Sequence, residues 1–255
     1  MYSRDVQFTV RLARTAADLH AAQRLRYDVF VAELGGDGPL VDHDARLERD
    51  RFDPYFDHLL LVDESRGGEI VGVYRVLRDD QATEAGQFYS EDEYDISILK
   101  SSGRRIMELG RSCLAEGYRG GPAMYHLWNG LARYVADHGI EILFGVASFH
   151  GTDPGTLAQP LSLLHHRHLA PEPLRVRTVH TRYQTMNLVP EDRIDRRAAM
   201  LQVPALIKAY LRLGGFVGDG AFIDHTFNTT DVCLVMDTEQ LNARQKAIYS
   251  RGADL

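Results

Sequence analysis

Between Arg105 and Gly121 the chain reads RIMELGRSCLAEGYRGG: an apolar strand pattern carrying two charges, Glu108 and Arg111, then a turn, then a helical pattern over Met124–Tyr134. Strand side chains alternate between faces, so an odd offset sends these two charges to opposite sides of a regular sheet. Gly110 lies between them, and glycine inside a strand often marks a bulge. A bulge there would turn both charges toward one cleft. The stretch therefore predicts a strand, turn and helix with a polar site at the irregularity.

The chain has 255 residues, enough for one large domain or two small ones. Apolar residues make up 44% and charged residues 25%, the balance of a soluble globular protein. A net charge of -7 argues against wholesale binding to nucleic acid or anionic lipid, so an anionic partner requires a local basic patch. The two cysteines, Cys113 and Cys233, sit in apolar strand-like runs and read as buried free thiols. The start, MYSRDVQFTV, lacks the apolar core of a secretory signal, and no stretch reaches the roughly 20 apolar residues of a bilayer span. A cytoplasmic location is the expectation.

Val6–Ala13 alternates as a strand, and Thr15 with Asp18 forms a helix start that carries to about Leu34, before Gly35-Gly36. Gly36–Phe56 reads as a long polar loop, of the kind that is functional or mobile. Asp57–Asp63 and Glu69–Leu77 read as strands around a hairpin turn, and Asp79–Tyr94 as a second, acidic loop. A helix is expected over Pro122–His138, a strand over Ile140–Ser148, and a helix within Leu157–His168. Val176–Met186 is expected to be extended, Pro190–Pro204 a charged connector and Pro204–Leu213 an amphipathic helix. Ala221–Asn228 and Val232–Met236 are the last expected strands. The pattern predicts one α/β (α+β) domain over residues 1–241, with an inserted segment at about 152–203 and a polar tail at 242–255.

This element order resembles the GCN5-related N-acetyltransferase (GNAT) fold, a single domain with a central mixed, mostly antiparallel sheet flanked by helices. Longer motifs narrow the resemblance: FDPYFDHLLLVD (Phe52–Asp63), VYRVL (Val73–Leu77), FYSEDEYDIS (Phe88–Ser97), ELGRSCL (Glu108–Leu114), FGVASFHGTDP (Phe144–Pro154), LHHRHLAP (Leu164–Pro171) and LIKAYLRLGGFVGDGAFIDHTFNTTDV (Leu206–Val232). Together they resemble the ornithine-lipid N-acyltransferase family from about Gln7 to Asp237. The resemblance implies transfer of a 3-hydroxyacyl chain from acyl carrier protein to the α-amino group of ornithine, forming a lyso-aminolipid. A glutamine-using relative is very similar. Arg26 and Phe30, Arg75 and the Glu108/Arg111 pair also fall where the more distant acyl-homoserine-lactone synthases carry such residues.

The chain departs from the acetyl-CoA enzymes at Tyr118-Arg119-Gly120-Gly121-Pro122-Ala123. Their loop opens on a basic residue or glutamine, and its amides cradle a pyrophosphate. Here Tyr118 stands first and Pro122 lacks an amide donor, so a carrier-protein donor with a single phosphate suits Arg119, Gly120 and Gly121 better.

Acyl transfer to an amine needs an aligned thioester, removal of the ammonium proton, donors for the oxyanion and protonation of the leaving thiolate. Glu108 is the candidate base; its alternative is a structural ion pair with Arg75 or Arg111. Arg75 and Arg111 are candidates for holding a carboxylate or phosphate, with Arg26 added by the resemblance. Tyr210, in KAYLRLGGF, resembles the tyrosine that protonates the thiolate in acetyltransferases, although one extra residue precedes Phe216. His150 ends a strand at a glycine loop and is a second candidate base. Asp224, Asn228 and Asp231 either hold the amino acid or satisfy a turn. Cys113 as a nucleophile stands against a buried structural thiol. His165, His166 and His168 do not share a helix face, so no metal is expected.

Arg104 and Arg105, with Arg119, form a candidate docking patch for acyl carrier protein; Arg193, Arg196 and Arg197 form a second basic cluster. No cofactor is expected beyond the donor's phosphopantetheine. The lipid product allows a transient membrane-surface contact peripheral to an inner membrane. The rival readings are a glutamine-specific synthase, a lactone-forming signal synthase and a non-catalytic carrier-binding regulator.

Overall fold

The computed structural model describes residues 6–240; the expected polar tail lies outside the described residues. The described chain falls into two compact units interleaved in sequence, residues 6–85 with 109–139 and residues 86–108 with 140–240. The strand Ile106–Leu114 runs from the second unit into the first.

In the first unit, Phe8–Leu12, Asp57–Asp63 and Glu69–Arg78 form antiparallel neighbours, with the later residues of Ile106–Leu114 beside Glu69–Arg78. The expected capping box is present: Thr15 Oγ1 accepts from the Asp18 amide at 3.1 Å, and Asp18 Oδ2 accepts from the Thr15 amide at 3.2 Å. The helix Ala16–Arg26 continues as a π-helix over Tyr27–Glu33. It buries Ala22, Leu25 and Val29 against Leu60, Val62, Val73 and Cys113. The helix Ala123–His138 ends at Gly139, in the left-handed conformation that favours glycine. It packs so closely on the first strand that a Cβ at Gly130 would collide with Val10.

In the second unit, Ile106–Glu108 pairs in parallel with Ile142–Phe144, and Glu108–Phe144 is the last pair of that ladder. Thr229–Asp237 runs antiparallel to Ile142–His150 over nine residue pairs. Phe216–Val217 and Phe222–Asp224 add to the far side of Thr229–Asp237. The helices Ala158–His168 and Ala205–Arg212 belong to this unit. The fold class is the expected one: mixed α/β, mostly antiparallel strands, helices on the sheet.

Several local expectations are corrected. The acidic Asp79–Tyr94 loop contains a helix, Asp79–Ala85, because two acids favour its first turn and QATEA supplies helix formers. The Pro190–Pro204 connector contains the helix Arg196–Gln202, started by Asp195, whose Oδ1 accepts from the amides of Arg197 and Ala198. The extended run Val176–Met186 keeps only a two-residue strand, Arg177–Thr178. Gly36–Phe56 is pinned by buried Leu47, Phe52 and Phe56. No described helix is long and apolar enough to cross a membrane.

Candidate active site

In the first unit, three arginines named from the sequence converge on three carboxylates that were not. Arg26 is fully buried at the end of its helix, with Nε 2.5 Å from Glu48 Oε2 and Nη1 2.6 Å from Asp53 Oδ1. Arg75, also fully buried, places Nη1 2.7 Å from both Asp50 Oδ2 and Asp53 Oδ1, and its guanidinium lies 4.0 Å from the Phe56 ring centroid. Arg111 Nε donates to Glu48 Oε1 at 3.2 Å, and its guanidinium lies 3.6 Å from Asp50. Arg111 has φ 47°, a left-handed backbone within a strand. The irregularity expected at Gly110 thus falls on the next residue.

The electrostatics follow from this matching. Burial alone would raise the carboxyl pKa values, but the surrounding guanidiniums overcome it and hold Glu48 and Asp53 at about 2. Asp50 is lowered for the same reason. His58, buried among them, is pushed down to about 4, mainly by burial and then by Arg26. It is therefore neutral at neutral pH. The Arg26 and Arg75 side chains are 0% and 1% exposed, whereas Arg111 keeps 14%. Of the three, Arg111 is the most exposed.

The phosphate-loop candidates lie in the same unit. Arg119 Nε donates to the Leu114 carbonyl at 3.1 Å, and its guanidinium pairs with Glu33 at 2.8 Å. Gly120 has φ 73°. Cys113 is buried and its thiol is pushed up to about 12 by burial, so it stays protonated and is a poor nucleophile.

In the second unit, Glu108 is 1% exposed. Its Oε2 accepts from the Tyr89 amide at 2.7 Å, and its Oε1 from the Ser90 amide at 2.7 Å and from the Ser90 hydroxyl. These donors hold the carboxylate in place and tie it to the start of the 3-10 helix Tyr89–Asp92. Phe88 packs edge-on against Phe144 at 5.1 Å. His150 is exposed at the end of its strand and pairs in register with Thr229, which pairs with Asp224. Asp224 Oδ1 accepts from the Thr226 and Phe227 amides, so this side chain forms the turn. Asn228, with φ 52°, accepts from the Gly151 amide through its carbonyl. His150, Asp224 and Asn228 thus share one end of the sheet. Asp231 and Tyr210 are each 4% exposed. Arg104 is engaged by Asp237 through two bonds of 2.6 and 2.8 Å, and the Arg105 amide donates to Glu141.

Sequence reasoning missed Glu48, Asp50, Asp53 and His58. The available signal was Phe52 and Phe56 in DRFDPYFDH: aromatic residues four apart, interleaved with acids, are unusual in a solvated loop.

Residues 25–129 match the family model for the acetyltransferase (GNAT) domain, which sets the class. Two solved structures share the fold. An N-acyl amino acid synthase from uncultured soil microbes aligns with TM-score 0.51 and 11% identity, covering 94% of this chain and 98% of that one. A CoA-dependent acyl-homoserine lactone synthase aligns with TM-score 0.55 and 11% identity, covering 97% and 90%. At such identity the likeness is one of fold alone. Sequence relatives carry it further. An L-ornithine N(alpha)-acyltransferase of Rhodobacter capsulatus is 56% identical over 258 residues, covering 100% of this chain and 99% of that protein. One of Brucella abortus is 42% identical, covering 96% and 89%. The chain belongs to the L-ornithine N(alpha)-acyltransferase family.

Proposed function

We propose that the protein transfers a 3-hydroxyacyl chain from acyl carrier protein to the α-amino group of ornithine, forming a lyso-ornithine lipid. The observation that carries the acceptor in this reading is the 56% identity, over 100% of this chain and 99% of the relative, to a protein named L-ornithine N(alpha)-acyltransferase. The carrier-protein donor rests on the poor phosphate loop at residues 118–122. The amine nitrogen forms a bond to the thioester carbon, the carbon–sulfur bond breaks, and the leaving sulfur takes a proton. No enzyme nucleophile is needed, in keeping with the protonated, buried Cys113.

The residues divide the work as follows. Arg26 and Arg75 are already matched by Glu48, Asp50 and Asp53, so they brace the site; Arg111, with the most exposure, meets the acceptor carboxylate. Glu108 is the first candidate base, acting through a water because its side chain is buried and its oxygens already accept from Tyr89 and Ser90, with His150 as the second. Tyr210 is the candidate proton donor to the leaving sulfur. The Gly120–Gly121 amides take the donor's single phosphate, and Arg104 and Arg105 border the carrier-protein contact. The reaction belongs in the cytoplasm, where acyl carrier protein works, at the face of the membrane that receives the product.

Thiol release tests the acceptor. With 3-hydroxyacyl carrier protein as donor, ornithine should accelerate release well above glutamine, lysine or no amino acid. Equal release with and without ornithine would refute the reading.

A further inference from the structure

The second basic cluster lies outside the chemistry described above. Residues 191–212 carry five cationic side chains (Arg193, Arg196, Arg197, Lys208 and Arg212) against three carboxylates (Glu191, Asp192 and Asp195), a local excess of positive charge in a protein of net charge -7. Asp195 is engaged at the helix start by the amides of Arg197 and Ala198. The helix Arg196–Gln202 buries Ala199, and Val203 after it is buried as well. Its other side carries Arg197 and Leu201, four residues apart and therefore on one face. Leu201 is 73% exposed, the highest value for a large apolar side chain among the described residues. Lys208 Nζ reaches the Leu201 carbonyl at 3.4 Å, which brings a further cation to that end. Arg196 shares Glu191 with Arg167, whereas Arg193 and Arg197 are exposed and make no ion pair among the described residues.

We propose that Arg193, Arg197, Leu201 and Lys208 form a surface that docks the protein on an anionic lipid membrane. Cations around a projecting leucine match a bilayer surface in both respects: anionic headgroups draw the cations, and the acyl boundary accepts the leucine. An acidic carrier protein would satisfy the charges but gives no reason for the exposed leucine. The choice of a membrane also rests on the proposed product, a single-chain lipid whose chain partitions into a bilayer.

The test is co-sedimentation of the full chain with phosphatidylglycerol-containing vesicles and with pure phosphatidylcholine vesicles, at about 0.1 M salt. No substrate is present, so the result is independent of the catalytic reading. The wild type should bind the anionic vesicles, release them as salt rises and ignore the neutral ones. Each arginine near an anionic surface contributes about fivefold in affinity, so R193A/R197A should bind about 25-fold more weakly. L201S should lose about tenfold. Both variants should keep the wild-type melting temperature and their turnover in a vesicle-free assay. Failure of the wild type to bind anionic vesicles, or equal binding by the variants, would overturn the proposal. So would an R193A/R197A variant that still binds vesicles but shows a raised KM for the acyl carrier donor, which would give the patch to the carrier protein.

Discussion

Glu48 accepts from Arg111 Nε at 3.2 Å while Arg111 holds φ 47° within its strand. The same carboxylate accepts from Arg26 Nε at 2.5 Å, so one buried acid fixes a helix end and an irregular strand residue together. Replacing it tests the bracing role. Glu48→Gln removes the charge and leaves two guanidiniums under-compensated. Breaking a buried pair in this way costs about 3–5 kcal/mol. Calorimetry should show a fall in melting temperature on the order of 10 °C.

Arg111 should behave differently from its neighbours. Arg111→Lys keeps the charge but loses the planar fork that suits a carboxylate. We expect the KM for ornithine to rise about tenfold or more, with the melting temperature changed by a few degrees at most. Arg26→Lys and Arg75→Lys should act mainly on stability. Steady-state kinetics beside thermal melts would expose the reverse pattern, which would remove Arg111 from the acceptor site.

The same cluster sets an acid limit on stability, in two steps. His58 has a folded pKa of about 4 against an ordinary 6.5, so between those values the unfolded chain binds the extra proton and stability falls as pH falls. Glu48 and Asp53 sit at about 2, below their ordinary 4.5 and 3.8. Their contribution is intact above the ordinary values and is lost as pH drops toward 2. Melts from pH 7 to 3 should therefore steepen in both windows. His58→Gln should flatten the upper window and leave the lower one; an unchanged upper slope would contradict the assignment.

Glu108→Gln separates two roles. A glutamine turns an N–H toward the Tyr89 or Ser90 amide, where the carboxylate accepted at 2.7 Å, so stability should fall by about 1–3 kcal/mol. As a base, its loss should also slow turnover about 10²–10⁴-fold, with residual activity rising with pH. Turnover within about threefold of wild type at neutral pH, together with a lowered melting temperature, would leave Glu108 as an anchor and pass the base to His150.

Acyl carrier protein should be a better donor than CoA of the same chain. Pro122 offers no amide donor, and the Arg119 guanidinium is held by Glu33 at 2.8 Å. Comparable kcat/KM for the two donors would remove that expectation.

Much of the fold was legible because it rests on local signals. Thr15 with Asp18 marked one helix start and Gly139 marked a helix end, and both have the expected geometry. The helix Arg196–Gln202 was hidden by its charge and flanking prolines, although Asp195 is an ordinary N-cap. At the site, Arg75 and Arg111 stood out because cations in apolar strands need explanation, whereas Arg26, on a helix, was named through the family resemblance. Their partners did not, because Glu48, Asp50 and Asp53 look like loop acids until Leu47, Phe52 and Phe56 are seen to be buried. Charge matching is a tertiary property, and neither periodicity nor spacing encodes it.

The most direct measurement is the product itself. The purified protein, given 3-hydroxyacyl carrier protein and an equimolar mixture of ornithine, glutamine, lysine and S-adenosylmethionine, should yield N-acyl-ornithine as the main species by mass spectrometry. Fragmentation should place the chain on the α-nitrogen and leave the side-chain amine free. A dominant acyl-glutamine, an acyl-homoserine lactone, or no acylated amino acid would contradict the account.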